Sequence, residues 1–127
     1  MNLKNLKILG LYLMAGFYLF GGINHFRSPE FYLPLIPDYL PAPDLLNLLA
    51  GIAEIVLAIG LLIPQTRKLA AWGVIAMLLA FIPSHVYFIQ IGSCIPDVLC
   101  AAEWMGWVRL LLIHPLLIVW AWIYTQN

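Results

Sequence analysis

Charge is scarce in this chain of 127 residues. Six Lys+Arg and six Asp+Glu give 9% charged residues and a formal net charge of zero. A soluble domain carries roughly a quarter of its residues charged, so these side chains are too few to coat a water-facing surface. The deficit excludes a soluble globular enzyme and a disordered tail. With no basic excess there is no footprint for nucleic acid either. Cysteine is rarer still, for Cys94 and Cys100 stand alone and lack the spacing of common redox motifs. What abounds is apolar, at 64% of the chain. The expected solvent, and the first partner, is a lipid bilayer.

Four stretches read as spans: 8–26, 45–63, 69–91 and 107–124, holding no Asp, Glu, Lys or Arg except Glu54 and Arg109. About 20 apolar residues cross the hydrocarbon once, and the backbone there must satisfy its own hydrogen bonds, which predicts helices. The expected fold is all-α, an integral membrane four-helix bundle forming one domain over 1–127. Lys4 and Lys7 before an apolar run imitate a signal peptide. Residues 21–26 offer no small-x-small cleavage site, so the segment is read as a retained helix.

Basic residues set the orientation. Lys4, Lys7, Arg67 and Lys68 flank one side, against Arg27 and the border residue Arg109 on the other. Both termini are therefore expected in the cytoplasm. Residues 27–43, on the outer side, hold five of nine prolines beside Phe31, Tyr32 and Tyr39. Such a segment cannot form a long helix and is expected to lie on the membrane as an interfacial lid. Ser28-Pro29-Glu30 can open one short turn, and Asp44 is expected to cap span two. Residues 64–68 form the tight inner turn.

Ionisable groups within a span are costly and mark candidate sites. At 1.5 Å per residue, Glu54 lies roughly 15 Å below the outer surface, His85 about 9 Å and His114 about 10 Å. Asn24 and His25 end span one on that side, and Arg109 opens span four there. Asn24, His25, Glu54, His85, Arg109 and His114 thus share the outer half and are the candidate ligand-pocket residues. Each has a plainer alternative, an interhelical hydrogen bond that fixes register, or for Arg109 a reach to a lipid head group. Asn47, Ala50, Gly51, Glu54 and Ala58 form one small, polar face of span two, expected to point inward. No two histidines share a helix at chelating spacing, so no metal site is expected. In regular α-helix, Arg109 and His114 lie about 140° apart and do not face the same neighbour.

Pro83 and Pro115 interrupt spans three and four, freeing carbonyls near Leu79 and Leu111, with Ser84 and His85 placed to satisfy local acceptors. Broken backbone beside polar groups is tolerated where it lines a cavity. Cys94 and Cys100, on the oxidising side, fit a loop disulfide that staples the lid, a redox dithiol, or free thiols. The Trp and Tyr residues at the ends of span four suit the aromatic belt.

The ordered series Gly22-Ile23-Asn24-His25-Phe26, Phe31-Tyr32, Pro37 to Pro41, Gly51-Ile52-Ala53-Glu54, the inner-turn run 62–67 and Leu69-Ala70-Ala71-Trp72-Gly73 resembles the DoxX-like family of small four-helix bacterial membrane proteins. The likeness runs from about Gly21 to Ala80 and continues weakly to Trp120. The chain departs from that pattern at His85, where an asparagine commonly follows the proline, and near Ile113 and His114, where a glutamine often lies. The resemblance implies a membrane bundle. It also implies links to respiratory or thiol redox chemistry in some relatives, although many have no known activity. The leading expectation is a redox-associated accessory protein, with a membrane or redox protein as partner, that binds an amphipath such as a quinone. No nucleophile–base pair or phosphate loop points to independent catalysis. The alternatives are a structural or assembly protein without a ligand, and a small intramembrane enzyme acting on a lipid.

Overall fold

The uninterrupted apolar runs become long helices in the computed structural model, which describes residues 1–126. Helix α1 (Leu3–Arg27) is opened by Asn2, whose side chain accepts from the Asn5 N–H. A short α2 (Pro29–Tyr32) and a 3-10 turn (Leu33–Leu35) follow. Helix α3 spans Pro43–Leu62. The third long helical stretch is two pieces, α4 (Arg67–Ala80) and α5 (Ile82–Gln90), broken just before Pro83. The fourth comprises α6 (Glu103–Val108), a π turn (Arg109–Ile113) and α7 (His114–Ile123). Four helical stretches, Leu3–Arg27, Pro43–Leu62, Arg67–Gln90 and Glu103–Ile123, are long and apolar enough to cross a membrane.

One local expectation changes. Asp44 does not cap α3. Proline has no N–H to satisfy and a φ suited to the first helical position, so Pro43 takes that place and Asp44 falls inside the first turn. There its charge complements the helix dipole. The cap position goes to Ala42, in left-handed backbone at φ 50°. The inner turn behaves as expected, and side chains finish it: Thr66 Oγ1 donates to the Gly60 carbonyl (2.8 Å) and Arg67 Nε to the Leu61 carbonyl (2.8 Å). These carbonyls at the end of α3 have no partner within the helix.

Helix α1 lies along α3, α3 against α4, and α4 against α7. Leu11, Ala15, Tyr18, Gly22 and His25 recur at four- and three-residue steps and form the buried face of α1. Where it meets α3, a Cβ on Gly22 would stand 2.8 Å from the Gly51 carbonyl oxygen. Only glycine permits that backbone approach. Toward the chain ends the interior is wholly apolar, with Met14, Leu61, Ala71, Val74 and Ala121 essentially sealed. The Tyr124 hydroxyl donates to the Lys7 carbonyl (2.8 Å) and ties the two ends together. Large apolar side chains such as Phe20 (68% exposed) and Leu111 (66%) face outward.

At the opposite end the Pro-rich segment meets a hairpin that the sequence reading had only as a loop. Strands β1 (Cys94–Ile95) and β2 (Leu99–Cys100) pair antiparallel, Cys94 opposite Cys100, and the two cysteines are disulfide-bonded. The turn has Pro96 at its second position and Asp97 at φ 63° in its third, with the Val98 N–H donating to the Ile95 carbonyl (3.1 Å). This is the type II pattern, in which proline presets the first central residue. Leu35, Phe88 and Ile95, flanked by Phe31, Leu99 and Ala101, form a second apolar cluster that joins this cover to α5. The polar residues lie between the two apolar clusters.

Candidate functional site

Two polar walls face one cavity of about 420 Å³. The first wall is built on the close α1–α3 contact. Asn47 Nδ2 donates to the His25 carbonyl (3.0 Å), which fixes the amide and turns its oxygen toward His25 Nδ1 at 2.7 Å. His25 Nδ1 is therefore the donor, leaving Nε2 to face Glu54 Oε2 at 3.5 Å. An attractive arrangement of these two atoms has one proton between them. Glu54 Oε2 and the Tyr18 hydroxyl are buried without a hydrogen-bond partner. Tyr32 stacks on the His25 ring, centroids 3.8 Å apart, and its hydroxyl accepts from Asn24 Nδ2 (2.9 Å).

The second wall comes from the two broken crossings. Arg109 Nε donates to His85 Nδ1 at 2.9 Å. A nitrogen that accepts carries no proton, so His85 is neutral and its Nε2 is the N–H. The Arg109 guanidinium lies 5.2 Å from the centre of the Phe88 ring. His114 stands edge-on to His85 with centroids 4.6 Å apart, and its Nε2 donates to the Leu78 carbonyl (2.6 Å). At the break before Pro83 the Leu78 carbonyl accepts from the Phe81 N–H (3.2 Å), and this histidine from the neighbouring helix, rather than the adjacent Ser84 or His85, gives it a second donor.

The expected 140° between Arg109 and His114 does not hold. The His114 N–H donates to the Arg109 carbonyl, an i→i+5 bond, through the π turn. Widening one turn by a residue stacks positions 109 and 114 on the same side. Both then reach His85. The expectation failed because it assumed regular α-helix ahead of Pro115, where the lost N–H makes room for the wider turn. Arg109 is likewise turned to His85 and Phe88 rather than to a head group.

His25, Glu54, His85, Arg109 and His114 all line the cavity. Asn24 does not: it borders a smaller cleft with Ser28, Glu30 and Asp97, and reaches the site only through Tyr32. Tyr18 and Asn47 also line the cavity, although the sequence reading did not name them as site residues. Their signal was present. Tyr18 stands seven residues before His25 on one heptad face, and Asn47 stands seven before Glu54. The remaining lining is mostly apolar, including Leu35, Ile36, Leu40, Leu46 and Leu117. Among the described residues, no group of three or more His, Cys, Asp or Glu side chains is arranged to hold a metal ion.

Fold and site define a helical protein with four helices suited to crossing a membrane and a polar-walled cavity between them. Residues 14–125 match a family described as a domain of unknown function (DUF8561), and the chain belongs to that family. No curated protein and no solved structure matches the chain.

Proposed function

We propose that this is an integral membrane four-helix bundle that holds a membrane-soluble amphipath in the cavity. Its polar head lies between the Glu54–His25 wall and the Arg109–His85–His114 wall. One observation carries the reading: polar atoms converge on a mainly apolar space and part of their hydrogen-bonding capacity is unused. Buried groups without partners are uncommon in proteins and costly to maintain. The cavity is also of the size that small-molecule sites occupy. The distribution of Lys and Arg supports both termini lying in the cytoplasm, and the DoxX-like resemblance supports a bacterial inner membrane, the hairpin and Pro-rich cover then facing the oxidising side. The DoxX-like resemblance supports a redox-associated accessory role beside a membrane or redox protein partner, and makes a quinone the first occupant to test.

The experiment is to purify the protein in mild detergent, extract it with organic solvent and identify what leaves with it. A quinone or another amphipath is expected near one per chain, reduced about tenfold in Glu54→Ala, the equivalent of one good polar contact. Unchanged occupancy in that variant would overturn the site. A second reading, in which the polar residues only lock helices together, is favoured by the paired Asn47–His25 bonds. It predicts an empty cavity and a Glu54→Gln protein that keeps full activity in its host.

A further inference from the structure

The two walls differ in charge, and the difference names the head group. Arginine keeps its positive charge at any working pH. Arg109 is partly buried, and among the described residues no carboxylate pairs with it, Glu54 facing His25 instead. Its Nε is taken by His85, which is neutral in that bond, and its Nη groups donate to nothing among the described residues. The Phe88 ring supports the cation without neutralising it. Beside it His85 turns a second N–H, Nε2, that has no partner. The Arg109–His85 pair on this wall therefore offers a cation and N–H donors, whereas Glu54 on the other wall offers acceptors with one proton shared with His25.

We infer that the occupant is a single-chain amphipath with an anionic head, a carboxylate or a phosphate monoester, held by the Nη face of Arg109 with its chain along the apolar lining. The inference rests on the ligand reading above and replaces its generic head with a charged one. A guanidinium matches both anions with two parallel hydrogen bonds, and these charge-assisted bonds are about twice as strong as neutral ones. A space of about 420 Å³ suits a small ligand rather than a two-chain lipid. Leu35, Leu40, Leu46, Ile113 and Leu117 provide its apolar surface. A neutral head would leave the Arg109 charge without a counterpart.

The test compares palmitate, hexadecyl phosphate and hexadecanol as competitors for radiolabelled palmitate, on the full-length protein in phosphatidylcholine nanodiscs. At least one anion should bind tenfold or more tightly than the alcohol. Preference for palmitate identifies a free fatty acid, and preference for hexadecyl phosphate a phospholipid-derived head. Arg109→Gln should erase the advantage over hexadecanol, and Arg109→Lys should restore part of it. Should Arg109→Gln fail to fold, the three probes on the unaltered protein decide alone. Equal affinity for alcohol and anions overturns the anionic head and leaves the ligand reading standing. Binding of none of the three overturns the anionic head, and the ligand reading falls with it if the solvent extract of the purified protein is empty as well.

Discussion

Near the chain ends, α1, α3, α4 and α7 meet through Met14, Ala15, Leu61, Ala71, Val74 and Ala121, with no polar group among them. Toward the hairpin the same crossings carry Glu54, three histidines, an arginine, a helix break and a π turn. The two halves belong to one run of helices, so length and hydropathy do not separate them. What separates them is how backbone and side chains are satisfied. In the terminal half, regular helices complete their own hydrogen bonds and small residues allow close packing. In the hairpin half the helices are broken, and side chains from neighbouring helices add donors beside the break, as His114 does at the Leu78 carbonyl. Regularity serves stability in one half. Irregularity in the other brings Arg109 and His114 to the same imidazole.

The contrast can be broken most sharply at its boundary, where Gly22 meets Gly51. Gly22→Val would force a Cβ to within 2.7 Å of Ile55 Cγ1 and against the Gly51 carbonyl. Overpacking of this kind is expected to cost about 3 kcal/mol, read as a lowered unfolding midpoint in mixed micelles, with both halves disturbed. Next is the cover. Cys94→Ser with Cys100→Ser opens a short loop, for an expected loss of about 2 kcal/mol. Because the bond links only the hairpin, the loss should appear as faster hydrogen exchange at Ala101, whose N–H bonds Ser93, while the terminal half keeps its protection. Asn47→Ala removes both bonds to His25 and should cost about 1 kcal/mol in detergent unfolding, a usual size for polar contacts between membrane helices. The smallest effect belongs to the outward surface of the terminal half. Leu13→Ala, at a 58% exposed side chain, should shift stability by less than about 0.5 kcal/mol. A larger shift there would mean that this surface is covered by protein.

The sequence was most legible where one rule governs. Apolar runs without charge predicted the four long helices to within a few residues, and the small face of span two predicted the side of α3 that α1 approaches. The concentration of polar side chains toward one end was also readable from helix rise alone. Geometry around the prolines was not. The π turn depends on which hydrogen bonds Pro115 removes and how a neighbouring helix compensates, a tertiary matter that periodicity does not contain. The hairpin was hidden for a similar reason, because seven residues between and including the cysteines carry too few side chains for alternation to show. Tyr18 and Tyr32 were passed over because a tyrosine in such a chain reads as an apolar ring or an interfacial anchor. Their hydroxyls matter only once a partner lies near. His85 and His114, 29 residues apart and on different helices, turn out to stand edge-on to one another, which their positions in the sequence do not announce.

The π turn at Arg109–Ile113 amounts to one surplus residue in the fourth crossing. Deleting any one of the four that follow Arg109 would leave a helix of nearly the same length and oiliness, and a hydropathy profile would barely register the change. Regular winding would nevertheless return, swinging everything ahead of it through roughly a quarter turn about the axis. The guanidinium would then point away from its imidazole. Among related chains, a single-residue gap at this point therefore separates those able to assemble this wall from those that merely share its outline.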